Sequence, residues 1–147
     1  MMRDPARIGR CAACVALALL VGACSSARSS APDNLAAIED IQQHRSGEEV
    51  TVEGTVAQTP HIVRGPSGRH QDFVLEVSSG KGEQQLILIS HNIDISSEAP
   101  LNEGDDVIVR GELDIDRSGP VIHFTHHDPR GRHEPGFLQI KNGPTYD

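Results

Sequence analysis

Histidine is the residue type in this chain best placed to do chemistry. Six of the eight histidines fall between His70 and His133, and four lie in the run His123-Phe-Thr-His-His-Asp-Pro-Arg-Gly-Arg-His133. Neutral imidazole binds transition metals, and the ring exchanges protons near neutral pH, so the cluster marks a candidate site for either task. Asp128 and Arg130 in the same run are further ligand-binding candidates. Arg130 and Arg132 beside Asp128 and Glu134 also read as a solvated ion-pair rim of little energy.

Strand geometry limits what the run can do alone. Ile122 and Phe124 are the expected core pair of a last strand, which sends His123 and Thr125 to the other face. His126 then falls on the core side and His127 on the outer side. At about 3.3 Å per residue, His123 and His127 stand about 13 Å apart, too far for one ion. A metal centre therefore needs a turn at His127-Asp128-Pro129, which Pro129 favours, or help from other strands. His91 and Asn92 end an expected third strand, Asp94 follows, and His70 opens the second. Convergence of those ends would make His70, His91, His123 and His127 metal candidates. Asn92, Asp94, Thr125, His126, Asp128 and Arg130 would complete a ligand-binding set. Imidazole with carboxylate suits zinc, copper, nickel or iron rather than calcium or magnesium. The sequence has no His-Glu-x-x-His and no Cys-x-x-Cys. An architectural role stays open beside these, with His127-Asp128 locking a turn through side-chain hydrogen bonds. His44 and His61 read as isolated surface residues.

The elements that must position these side chains begin after an export leader. Arg3, Arg7 and Arg10 precede an apolar stretch from Cys11 to Ala23, too short to span a bilayer but suited to a signal peptide. Val21-Gly22-Ala23-Cys24 resembles the lipobox of bacterial lipoproteins. That resemblance implies removal of residues 1–23, lipidation of Cys24 and, in a host with two membranes, an outer-membrane destination because Ser25 follows. An ordinary signal cleaved near Ala23 or Ala27 is the alternative. All three cysteines (Cys11, Cys14, Cys24) lie in or at the end of the leader, so the domain has no disulfide and no thiolate ligand. Loss of the leader leaves 10 basic against 20 acidic residues. That balance disfavours nucleic acid, whose binding proteins carry a basic face, and allows cations, small ligands or an envelope protein as partners.

Residues 24–33 are small and polar, a flexible tether. Residues 34–147 have the length of one domain. Asn34 to Arg45 predicts a short helix capped by Asp33 or Asn34 and ended by Ser46-Gly47. From Glu48 the period becomes two. Val50, Val52 and Val56 mark a first strand, and Phe73, Leu75 and Val77 a second. Gln85 to Ser90, apolar on both faces, predicts a central third strand. Val107, Val109 and Leu113 mark a fourth, and Val121 to Thr125 a fifth. Arg64 to Arg69 lacks a phosphate-loop ending and reads as a mobile connection. One helix and five short strands predict a mainly β fold, a five-stranded Greek-key barrel like the OB-fold, with an open sandwich as rival. Gly54 and Gly111 suit the bends of such a barrel. The helix usual between its third and fourth strands is expected to be reduced to Ile93–Glu103.

Gly68-Arg-His-Gln71, Ile89-Ser-His-Asn-Ile-Asp94, Gly119-Pro-Val-Ile-His123 with the following Thr-His-His-Asp-Pro segment, and Gly136-Phe137 together carry a resemblance. They look like a family of small exported bacterial proteins of uncharacterised function, over roughly residues 35–147. That family has tryptophan where Phe124 and Phe137 stand here. The resemblance supports the domain and the site's location and implies no activity. Three functions therefore stand side by side. The first is a membrane-anchored domain binding a transition metal, a small ligand or a short polymer. The second is a metal-assisted hydrolase or nuclease with Asp128 or a spare histidine as base. The third is a structural envelope lipoprotein that binds another protein. The absence of a nucleophile–base motif favours the first and third over an enzyme.

Overall fold

The computed structural model describes residues 30–147. The leader, Cys24 and most of the tether lie outside the described residues. Asn34–Gln42 forms α1, with the Asp33 carboxylate accepting the Ala36 N–H at 3.0 Å. That bond satisfies one of the donors a helix start leaves unpaired. The helix stops short of Arg45 because His44 adopts a left-handed φ of 54°, and the Arg45 guanidinium pairs back to buried Asp40.

Eight strands follow: β1 (Glu48–Val56), β2 (His61–Gly65), β3 (Gly68–Ser78), β4 (Gln84–Asn92), β5 (Asp106–Asp116), β6 (Gly119–His123), β7 (Phe137–Ile140) and β8 (Thr145–Tyr146). Five of them run β1-β3-β4-β6-β5, and β5 pairs back onto β1 from Thr55↔Asp106 to Glu48↔Leu113. That pairing closes the ring and excludes the open sandwich. Within the ring only β4 and β6 are parallel, through Leu88↔Val121 and Ile89↔Ile122. The result is the expected five-stranded OB-like barrel. One residue from each ring strand shows where the core sits: Val52, Leu75, Ile89, Val109 and Ile122 are all fully buried. A Cβ on Gly54 would lie 2.3 Å from the Glu76 carbonyl oxygen, and one on Gly111 2.2 Å from that of His123. Neighbouring backbone thus approaches the bent strands more closely than a side chain allows.

Several expectations are corrected. β4 is central in the ring but not buried on both faces: Ile87 and Ile89 fill the core, while Leu86 and Leu88 are 53% and 37% exposed. A small barrel is a single layer, and nothing among the described residues covers that outer side. Ile93–Glu103 forms no helix; Ala99 and Leu101 pack into the core from an irregular segment instead. Arg64 to Arg69 is not a loose connection. β2 pairs with β3 from His61↔Asp72 to Gly65↔Gly68, leaving only Pro66-Ser67 as the turn. Beyond the histidine run, β7 adds to β5 and β8 to β7, a hairpin the sequence pattern did not announce.

Candidate ligand-binding groove

The decisive local event is at Phe124. β6 ends at His123, and Phe124 takes a φ of 55°, a left-handed conformation that is unfavourable for a bulky residue. The turn breaks the alternation expected through Thr125. Ile122 stays in the core, but Phe124 is not its core partner; it is half-buried and lines a groove, while Thr125 is the fully buried residue. The returning chain secures this geometry. Gly136 donates its N–H to the His126 carbonyl at 3.0 Å. A Cβ there would stand 2.1 Å from the Phe124 carbonyl oxygen and 2.6 Å from that of Arg110, so only glycine fits.

Rings then form a continuous wall. Phe124 lies against His123 at 4.1 Å between ring centres and stacks on His133 at 4.3 Å with 16° between planes. His126 meets His133 edge-on at 5.0 Å. Such tilted and offset contacts are those aromatic quadrupoles prefer.

Asp128 organises the adjoining turn. Its carboxylate accepts the backbone N–H of Arg130 at 2.8 Å, that of His133 at 3.1 Å, and that of Arg132. Burial opposes ionisation, but these three N–H bonds outweigh it and hold the carboxyl at about 2. The expected ion-pair rim is therefore not what the loop uses: Asp128 binds the backbone of the two arginines. Among the described residues neither Arg130 nor Arg132 pairs its guanidinium with a carboxylate. Both side chains line the groove.

The remaining candidates divide between groove and scaffold. His91 is fully buried, and its Nε2 lies 3.2 Å from the Ser97 carbonyl oxygen. A carbonyl only accepts, so Nε2 carries the proton, and Nδ1 accepts the Thr125 hydroxyl at 2.9 Å. Burial pushes the His91 pKa down. Neither ring nitrogen is left for a ligand. His127 is exposed and does not line the groove. His126 donates Nδ1–H to the His127 carbonyl at 2.8 Å, and burial lowers its pKa too. His123 is lowered by burial against the opposing pull of Glu112, whose Oε1 is 3.8 Å from Nε2. Asn92 braces the floor, donating to the Ser67 carbonyl at 3.1 Å and accepting the Asp94 N–H at 3.0 Å. Asp94 in turn accepts the Arg69 N–H at 2.8 Å and Nε at 2.7 Å, which keeps its carboxyl below the usual range.

His70, Asn92, Asp94, His123, His126, Asp128 and Arg130 thus meet around one groove of about 710 Å³, whereas His91, Thr125 and His127 do not line it. Among the described residues no three His, Cys, Asp or Glu side chains group to hold a metal ion. The four imidazoles offered for one are divided between the groove, the interior and the surface. Phe124, Arg132 and His133 join the lining without having been singled out for it. The cluster's density already pointed at His133 and Arg132. Phe124 was hidden because alternation assigned it to the core.

A family model described as "Protein of unknown function (DUF3465)" matches residues 18–147. The chain belongs to that family. For DUF3465 the match takes in every groove residue, and the description attaches no activity to them. No curated protein matches the chain. Among solved structures it is similar to a small single-stranded DNA-binding protein from Streptomyces coelicolor, with 24% identity and a TM-score of 0.45. That similarity covers 52% of this chain and 86% of the other.

Proposed function

We propose that this protein is an exported domain, lipid-anchored to the cell envelope through Cys24, that binds an anionic organic ligand in the groove. One observation carries the binding reading. Two guanidiniums without carboxylate partners among the described residues stand on a turn pinned by Asp128, beside a wall of packed rings. A guanidinium is always charged and presents a planar fork to carboxylate or phosphate. The packed rings hold the wall of the groove in place, so less ordering is needed on binding. The donor arrangement favours an organic anion over a bound metal. The leader carries the anchoring reading, and two or more acyl chains give stable attachment.

The test of binding is a thermal-shift series with citrate, acetate and inorganic phosphate. Arg130→Ala/Arg132→Ala should abolish the shift while changing stability by no more than about 0.5 kcal/mol, since neither side chain is buried. An equal shift in the double variant would overturn the reading. Anchoring is tested by cell fractionation after palmitate labelling: Cys24→Ser should lose both label and membrane association.

A hydrolytic reading has one contact in its favour. Ser67 Oγ lies 3.3 Å from His70 Nε2 at the groove, within reach for a base to activate a hydroxyl. Ester hydrolysis lost alike in Ser67→Ala and His70→Ala, with folding intact, would promote it.

A further inference from the structure

The groove does not stop at the histidine wall. A second depression of about 340 Å³ shares Ser67, His70, Ser90 and His123 with the first, so the two form one channel across β3, β4 and β6. Its ends differ in the charges left free. At one end Asp94 is engaged by Arg69 and Asp128 by backbone N–H groups, which leaves the guanidiniums of Arg130 and Arg132, and Asp72 and Asp114 line the other. Asp72 accepts the Ser90 hydroxyl at 2.8 Å and Asp114 the Ile115 N–H at 2.8 Å, which engages one oxygen of each carboxylate. Among the described residues no cation is paired with either. Past that acidic stretch the same outer face becomes apolar. Leu86, Leu88, Ser90 and Asn92 alternate along β4, with Val121 in register with Leu88, and the two leucines are exposed.

Resting on the anionic-ligand reading, we propose that the channel binds the extended C-terminal segment of a partner protein. The terminal carboxylate lies on Arg130 and Arg132, a lysine or arginine a few residues upstream lies against Asp72 and Asp114, and apolar side chains follow over Leu88 and Leu86. Charge order decides the ligand class. A nucleic-acid strand would set repeated phosphates against Asp72 and Asp114, and a uronate polymer offers no apolar side chains to the leucines. A polypeptide carries both charges and apolar groups on one backbone. Dimensions agree: Leu86 to Asn92 spans about 20 Å at about 3.3 Å per residue, the length of about six extended residues. Capture of a terminal carboxylate beside alternating side-chain contacts is an established mode of peptide recognition.

The experiment is selection from a mixed hexapeptide library, immobilised through its amino end with a free carboxylate, using the full-length chain. The same library with amidated ends, and a hexathymidylate strand, serve as comparators. Expected results are enrichment of a basic residue two to four positions before the end and at least tenfold weaker binding of the amidated form. Arg130→Ala/Arg132→Ala should erase the acid–amide difference, and Asp72→Asn/Asp114→Asn should erase the basic preference. No enriched peptide, equal binding of acid and amide, or tighter binding of hexathymidylate would overturn the proposal. If peptides fail while citrate or phosphate still shifts the melting temperature through Arg130 and Arg132, the groove reading stands and the peptide assignment falls. If both fail, both fall.

Discussion

His91 and His123 sit near the ends of β4 and β6, parallel neighbours in one barrel wall, yet they do different work. The register Ile89↔Ile122 sets both isoleucines inward. His91, two residues after Ile89, therefore also points inward, whereas His123, one residue after Ile122, points outward. Inside, burial makes two hydrogen bonds obligatory, and Thr125 and Ser97 supply them. Outside, His123 faces the groove with Glu112 nearby and keeps part of its surface open. Imidazole here is thus a structural hydrogen-bonding group on one side of the sheet and a groove-facing one on the other, separated by a single residue of parity.

The largest effect is expected at His91. His91→Ala should leave a cavity, a stranded Thr125 hydroxyl and an unpaired Ser97 carbonyl, costing about 2–4 kcal/mol in urea unfolding. His123→Ala should cost less than about 1 kcal/mol while weakening citrate binding. Equal losses would mean that both rings are scaffold.

Asp128→Asn should come next. The three N–H bonds use both carboxylate oxygens, whereas an amide keeps one acceptor and turns an NH2 donor toward the rest, so the arginines lose their fixed placement and citrate affinity should fall about tenfold. The pH dependence has a defined sign. With the folded carboxyl held at about 2, its stabilisation is fully present above the unfolded value near 4 and is lost as pH falls toward 2. Melting temperatures from pH 5 to pH 2 should therefore fall less steeply in Asp128→Asn than in the parent.

Acidification below the ordinary histidine range should act on stability and on binding with opposite signs. His91 and His126 are held below the ordinary 6.5 by burial, so the unfolded chain binds protons more readily than the folded one. Stability is then full above that value, falls as pH drops below it and levels off beneath the depressed folded values. In the groove, burial holds His123 below the ordinary 6.5 as well, so its positive charge arrives only below that value. The ratio of citrate affinities of the parent and His123→Ala, in which citrate's own protonation cancels, should rise as pH falls through that range. The smallest effect is expected at exposed His127, where His127→Ala should change stability by less than about 0.5 kcal/mol and leave binding untouched.

Much of the barrel was legible because alternation reports which side of a sheet is buried. Val107, Val109 and Leu113, and Phe73, Leu75 and Val77, all face the core as their spacing predicts. Legibility failed where alternation itself was interrupted or ambiguous. The run Leu86-Ile-Leu-Ile89 looks doubly buried, but a single-layer barrel can bury only Ile87 and Ile89. Phe124 is misassigned by any rule that continues the strand, because its left-handed backbone is imposed by Gly136 returning across it. The turn at His127-Asp128-Pro129 was anticipated from Pro129. That Asp128 would bind backbone rather than guanidinium groups was not, since the same residues can satisfy it either way.

The sequence alone determined the barrel's strands, its disulfide-free core and the stretch of chain that carries the histidines, because local periodicity and composition are properties of short segments. Tertiary structure alone decided which histidines share a groove, which one is sealed beneath Thr125, and that among the described residues Arg130 and Arg132 pair with no carboxylate beside it. Those outcomes depend on strand parity, ring closure and the return of Gly136 onto Phe124. Such contacts join residues distant in sequence, and no short-range pattern encodes them.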